Sequence, residues 1–394
     1  MPKNVMALAM VALAVAACSD APTSVDSESP GLSAASTARP DVAGRFIVTL
    51  RERTNPAGVA REHGVRPDYV YTHALTGFAG RISDAARQGL LRDNRVVRVE
   101  ADGIATVVAL PTTQSGATWG LDRVDQTALP LSGSFSYTNT GAGVRAYIID
   151  TGLRFTHNDF GPQASSGYDA VDGGSADDCN GHGTHVAGTV GGNTYGIAKD
   201  VALVGVRVLN CSGSGTWSGV IAGIDWVTRD HAAGTPAVAN LSLGGGANSS
   251  VDQAVKNMIA DGVATAIAAG NGNQGGKAQD ACKYSPARVA EGMTIGATTQ
   301  SDAKARWSNY GTCVDWFAPG VSIKSAWYTG DNATNTISGT SMATPHTAGV
   351  AALYLQSNPG ASPGAVRTAL YAKTTKHIVT SSNTANNHLL FTNF

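Results

Sequence analysis

From Val144 onward, short apolar runs alternate with stretches of helical period, and that alternation constrains the fold more than any other feature. Val144–Ile149, Val201–Leu209, Ala237–Leu243, Val263–Ala269, Met293–Ala297 and Val314–Phe317 are nearly continuous apolar runs, too short for helices. Between them, Trp217–His231 sets Val220, Ile221, Ile224 and Val227 on one face, Val251–Ile259 reads as a helix, and further helices follow Thr344 and Ser362. Strands buried on both faces and joined by helices predict an α/β domain: a parallel sheet with helices on both sides. In such sheets, function gathers beyond the carboxyl ends of the strands. Asp150, Ser242 and Asn271 all fall there.

Upstream the texture differs. Phe46–Leu50, Tyr69–Tyr71, Gly77–Ile82 and Val96–Glu100 read as strands, with helices over Pro56–His63 and from Ser83 to Leu91. That β-α-β-β-α-β order predicts a small ferredoxin-like α+β unit over 42–109. A Pro-, Thr-, Gln- and Ser-rich joint at 110–116 separates it from a larger domain over 113–394.

The N-terminus reads as an export signal over 1–18. Lys3 precedes the apolar run Val5–Ala17, which is too short to span a bilayer. The run ends Val15-Ala16-Ala17-Cys18, which resembles a lipoprotein processing box of bacteria and predicts lipidation at Cys18. Residues 19–41 form a Ser-, Ala- and Pro-rich flexible tether. Cysteines number five, so four remain beyond Cys18: Cys179, Cys211, Cys282 and Cys313. In an exported chain they predict two disulfides, and three pairings are open. Cys179–Cys211 and Cys282–Cys313 are favoured because each closes a loop of about 30 residues. The formal net charge is −1 with no basic run, which argues against a nucleic-acid partner.

Three stretches carry chemistry. Asp150 leaves the buried run Val144–Ile149 and needs a donor. Asn180-Gly181-His182-Gly183-Thr184-His185 opens a helix. Gly339-Thr340-Ser341-Met342-Ala343-Thr344-Pro345 sets a serine before a small-residue helix, with Pro345 expected in its first turn. Alone, Ser341 could be a capping residue, Asp150 a turn residue, and His182 with His185 a metal pair. Together, Asp150, His182 and Ser341 supply an orienting carboxylate, a base and a nucleophile, in one of the chain orders that such triads take.

These three blocks, with Trp119-Gly120-Leu121-Asp122 and Val208-Leu209-Asn210-Cys211, resemble the subtilases, most closely the proteinase K and aqualysin branch, from about residue 113 to about 372. The 42–109 unit resembles that family's inhibitory propeptide. The resemblance implies Ser341 as nucleophile, His182 as base and then acid, Asp150 as orienting carboxylate, and Asn271 with the Ser341 N–H as oxyanion donors. It implies backbone edges at Gly213-Ser214-Gly215 and Ser242-Leu243-Gly244 that sandwich an extended peptide. Ala268, Ala269 and Gly270 would wall a roomy uncharged pocket preferring apolar or aromatic side chains. It also implies structural Ca2+ held by Asp315 with the carbonyls of Ala290 and Gly292, a second ion at Asp122, Asp125 and Gln126, and no catalytic cofactor.

The expected protein is a monomeric, broad-specificity serine endopeptidase, exported from a bacterial cell as a self-processing zymogen. Its partners are protein and peptide substrates and its own propeptide. The competing expectation is a peptide-binding module on the same scaffold that does not cleave.

Overall fold

The computed structural model describes residues 43–103 and 111–394. The export signal, Cys18, the 19–41 tether and the joint up to residue 110 lie outside the described residues. The chain divides into two compact units between Val108 and Ala109.

In the first unit, β1 (Arg45–Leu50), α1 (Pro56–Glu62), β2 (Tyr69–Tyr71), β3 (Gly77–Arg81), α2 (Asp84–Leu90) and β4 (Val96–Ala101) follow one another in the expected order. The strands form an antiparallel sheet ordered β2-β3-β1-β4. Asn55 caps α1 through the Gly58 N–H, and Ser83 caps α2 through the Ala86 N–H. Val48, Leu50, Val59, Phe78 and Leu90 make its core.

The second unit opens with β5 (Thr112–Ser115), α3 (Trp119–Val124) and β6 (Ser134–Tyr137), where β5 pairs antiparallel with β6. The alternating region follows: β7 (Arg145–Asp150), β8 (Ala164–Asp169), α4 (His182–Gly191), β9 (Ala202–Arg207), α5 (Trp217–Asp230) and β10 (Ala237–Leu241). After the short β11 (Gly245–Gly246) come α6 (Ser249–Asp261), β12 (Ala264–Ala268), β13 (Tyr284–Ser285), β14 (Met293–Thr298) and β15 (Trp316–Pro319). The hairpin β16 (Ile323–Ala326) and β17 (Thr334–Ile337) leads into α7 (Thr340–Ser357) and α8 (Pro363–Lys373).

Seven strands make one parallel sheet ordered β15-β14-β12-β10-β7-β9-β8. The two-residue period of β7 explains its two-sided core. Ala146 and Ile148 pack in the layer that holds α4, α7 and α8. Tyr147 and Ile149 pack in the layer that holds α5 and α6. Both favoured disulfides are present, Cys179–Cys211 with Cα atoms 4.9 Å apart and Cys282–Cys313 at 5.3 Å.

Three features depart from the sequence expectation. β8 joins the sheet edge although its Ala-Ser-Ser-Gly-Tyr-Asp sequence lacks an apolar run: it pairs with β9 alone and stays mostly half-buried or exposed, with only Ala164 and Tyr168 packed against the core. The β16–β17 hairpin turns through Thr329-Gly330-Asp331-Asn332, a turn-forming run that the strand-and-helix alternation does not include. Pro345 lies inside α7 rather than in its first turn, since the helix begins at Thr340.

Candidate active site

Asp150 ends β7 with no exposed surface. Its Oδ1 accepts from the Thr151 N–H at 2.8 Å and lies 2.7 Å from His182 Nδ1. The carboxylate fixes the imidazole with its proton on Nδ1, which leaves the Nε2 lone pair as the basic position. Burial opposes charging His182, but the Asp150 charge, their hydrogen bond and the nearby Asp178 outweigh it and raise the ring above its ordinary pKa. A glycine is required at 183, where a Cβ would stand 2.1 Å from the Gly152 carbonyl oxygen.

Ser341 is the second residue of α7. A helical proline donates no bond to the carbonyl four residues before it, so Pro345 leaves Ser341 O without its intrahelical donor. Ser242 fills that place: its hydroxyl donates to Ser341 O at 2.8 Å, and Asn240 Nδ2 donates to Ser242 Oγ at 2.9 Å. The Ser341 hydroxyl in turn donates to Ser242 O at 3.0 Å. Of the first four N–H groups of α7, Thr340 donates to Asn271 Oδ1, while Met342 and Ala343 donate to Gly339 O. The Ser341 N–H has no acceptor among the described residues, at the positive end of an 18-residue helix.

Asn271 is oriented by the same turn. Its Oδ1 accepts from both the N–H and the hydroxyl of Thr340, each at 2.8 Å, so its NH2 group is turned the other way. Gly270 is left-handed at φ +99°, and a Cβ there would stand 2.5 Å from Asn309 Nδ2. Asn309 holds the loop by donating to Ala269 O and accepting from the Gly272 and Gln279 N–H groups.

Two recesses meet at Ser242–Gly245. One, of about 630 Å³, is lined by His182, by Gly213, Ser214 and Gly215, and by Trp217 at its side. The other, of about 260 Å³, is lined by Ser341, Asn271, Ala268, Ala269 and Gly270, with no charged side chain. Ser242, Leu243, Gly244 and Gly245 line both, so the recess that His182 lines and the recess that Ser341 lines share one wall. Pairing of β11 with β13 fixes that wall. His185 does not join His182 as a metal pair: its ring is buried, with Nε2 3.0 Å from Ile323 O.

The sequence model of the subtilase family matches residues 141–391, more than half of the chain. The chain belongs to the subtilase family. A second match, to the peptidase inhibitor I9 family, covers residues 35–107. The chain is 55% identical over 333 residues to an extracellular serine proteinase of Thermus sp. (strain Rt41A), covering 84% of this chain and 79% of that one. It is 50% identical to alkaline serine exoprotease A of Vibrio alginolyticus over 84% of this chain, spanning 61% of that protein's length. The crystal structure of a cold adapted subtilisin-like serine proteinase is similar with a TM-score of 0.67 at 54% identity, covering 70% of this chain and 98% of that one. This subtilase is thus a serine endopeptidase by class.

Subtilisin-like enzymes commonly hold structural calcium, and the two expected sites differ in this subtilase. Among the described residues, no three His, Cys, Asp or Glu side chains gather to hold a metal ion. Asp315 does not fit the expected calcium ligand set with Ala290 and Gly292. Its Oδ1 receives the Arg367 guanidinium and its Oδ2 accepts from the Thr294 N–H at 2.8 Å, so both oxygens are spent on protein donors. Asp125 does fit. Its Oδ2 accepts from the Ser136 N–H at 2.7 Å, while its Oδ1 is buried with no partner. Burial and the neighbouring Asp122 push its pKa up to about 6; burial raises Asp315 as well, against the pull of Arg367, so it is the unpartnered Oδ1 that distinguishes Asp125. Asp122 accepts from the Ser132 N–H and hydroxyl and from the Gly133 N–H, and Gln126 Oε1 accepts from the same Ser132 N–H.

Asp178, Asn180, Asn240 and Asn309 were not singled out by the sequence reading. Asn180 accepts from the His182 N–H at 3.2 Å and donates to Cys211 O at 3.0 Å, joining the histidine turn to the Gly213 edge. The Asp178-Cys179-Asn180-Gly181 run is an Asx-turn signal that could have marked the first two. Asn240 and Asn309 lie in ordinary surroundings that give no signal.

Proposed function

We propose that this chain is a secreted zymogen of a broad-specificity serine endopeptidase that removes its own propeptide and then works as a monomer. The observation that carries the reading is the Asp150–His182 hydrogen bond of 2.7 Å, in a recess that adjoins the one lined by Ser341 at the N-terminus of α7. An extended peptide lies between the Gly213–Gly215 and Ser242–Gly244 edges, with its apolar or aromatic P1 side chain in the 260 Å³ recess beside Ala268 and Gly270.

The Ser341 hydroxyl rotates from Ser242 O to His182 Nε2 and gives up its proton there as Oγ attacks the peptide carbonyl. The imidazolium is stabilised by Asp150 across Nδ1. The oxyanion is received by Asn271 Nδ2 and the Ser341 N–H, donors already fixed before reaction. Collapse breaks the C–N bond, and the leaving amine takes the proton from Nε2. Water then repeats the sequence on the acyl-enzyme, with His182 again as base.

Of the expected set Asp122, Asp125 and Gln126, Asp125 would supply the free carboxylate oxygen to a calcium ion, which would neutralise it and the Asp122 charge beside it; no chemical step runs through the ion. Secretion is supported by the Val5–Ala17 run and by the name of the Thermus relative. With Cys18 acylated, a cut near 108–113 would also free the enzyme from its anchor.

The test is intact mass of the wild type and Ser341→Ala after purification, with casein hydrolysis alongside. Wild type is expected to lose about the first 110 residues and digest casein, while the variant stays full length and inactive. A variant that still digests casein would overturn the reading.

A further inference from the structure

Asp178 precedes α4 and is spent almost wholly on the turn that carries His182. Its Oδ1 accepts from the Thr151 hydroxyl and from the Asn180 and Gly181 N–H groups, each at 2.9 Å. Its Oδ2 accepts from the Thr184 N–H at 2.9 Å and the Thr184 hydroxyl at 2.6 Å. Thr151, whose hydroxyl bonds Asp178, is the residue after Asp150, and that hydroxyl also accepts from the Gly183 N–H at 2.9 Å. One carboxylate therefore gathers the residue beside Asp150 and residues on both sides of His182. A capping role at α4 would need only the bonds to Gly181 and Thr184. The bond to Thr151 reaches the neighbouring strand end and has no part in capping.

We propose that Asp178 is a positioning residue of the catalytic site, locking His182 against Asp150 and adding a second negative charge beside the imidazole. The proposal rests on the Asp150–His182–Ser341 reading. The charged and titratable groups facing His182 are Asp150 at the end of β7, Asp178 before α4 and His185 one turn along α4. The recess on its open side holds no other charged side chain. Asp178 thus acts on His182 both through geometry and through charge, and two substitutions separate the effects. Thr151→Val keeps the charge and removes the link. Asp178→Asn removes the charge and turns an N–H toward donors that need an acceptor.

The experiment measures kcat, KM and the pH profile of kcat/KM on purified mature enzyme, with active sites counted by a sulfonyl fluoride that labels Ser341. Thr151→Val is expected to lower kcat about 10-fold with KM little changed and the acid limb unmoved. Asp178→Asn is expected to lower kcat further and to move the acid limb down by about 0.5–1 pH unit, with Asp178→Glu returning the limb toward its wild-type position. A purely structural role would lower kcat without moving the limb, and that result would overturn the proposal. Should Asp178→Asn yield no mature enzyme, full kcat in Thr151→Val or an acid limb displaced in Asp178→Glu would overturn it instead. Failure of the reagent to label wild-type Ser341 would fell the catalytic reading itself.

Discussion

His182 and His185 stand three residues apart on one helix, and their surroundings drive them in opposite directions. His182 meets Asp150 at 2.7 Å and is raised above its ordinary pKa against the cost of burial. His185 meets the neutral carbonyl of Ile323, and burial pushes it down to about 4. His346 in α7 is like His185: it bonds Met342 O, and burial lowers it to about 4. A motif with two histidines thus holds one ring paired with a carboxylate and one packed against a neutral carbonyl. The difference lies in the counter-charge each ring meets, which comes from other parts of the chain.

The largest effect that tests this contrast is on turnover. His182→Ala is expected to lower kcat by about 10⁴ or more, because the serine loses its base. His185→Ala is expected to keep kcat within about 10-fold while lowering Tm, since it opens a cavity beside Ile323 and Trp327. Equal losses of kcat would break the comparison. Next in size is Asn271→Ala, expected to cost about 10²–10³ in kcat with little change in KM, the scale measured for such a donor in a subtilisin. A rise in KM with kcat intact would assign Asn271 to substrate binding instead.

The same contrast predicts two pH dependences. With His182 as the proposed base, kcat/KM should rise with pH through a limb displaced above about 6.5. His185 and His346 act on stability, with the sign set by their lowered values. Between about pH 6.5 and 4 the unfolded chain binds protons that the folded rings refuse. Stability is therefore full above that window and falls as pH drops through it, by at most about 3 kcal/mol for each ring. Thermal unfolding of sulfonyl-fluoride-inactivated enzyme checks this. His346→Gln should flatten the acid-side slope, and an unchanged slope would clear His346 of the role.

Much of this was legible in the sequence because the parallel sheet writes itself as buried apolar runs. Asp150 and Asn271 could be placed because each follows such a run. The hidden parts are those where polarity or distance carries the structure. β8 has no apolar run to see. Pro345 reads as a helix start, and only the Ser242 hydroxyl, bonded to Ser341 O 99 residues along the chain, shows how an interior proline is tolerated. Asp178 sits beside a motif residue, but its bond to Thr151 joins positions 27 apart. Arg367 could not be matched with Asp315, because nothing local links α8 to the start of β15.

That last pairing gives the smallest and sharpest test. Asp125 and Asp315 were both expected to hold calcium, and what reaches each carboxylate separates them. Asp315 has a guanidinium supplied by its own chain, so a metal ion there would have to displace Arg367. Asp125 has Asp122 as neighbour and an unpartnered oxygen. In calcium-free enzyme a raised carboxylate favours the folded state only while protonated, so its contribution is lost as pH rises from about 4 through 6, opposite in sign to the buried histidines. Calcium at neutral pH should reverse that loss and raise stability by about 2.7 kcal/mol at a hundred times its Kd. Asp125→Asn should abolish the gain, whereas Asp315→Asn should leave it intact and lower Tm by stranding Arg367. A calcium response that vanishes with Asp315 and survives without Asp125 would reverse the assignment, with Arg367 then a side chain that yields its place to the ion.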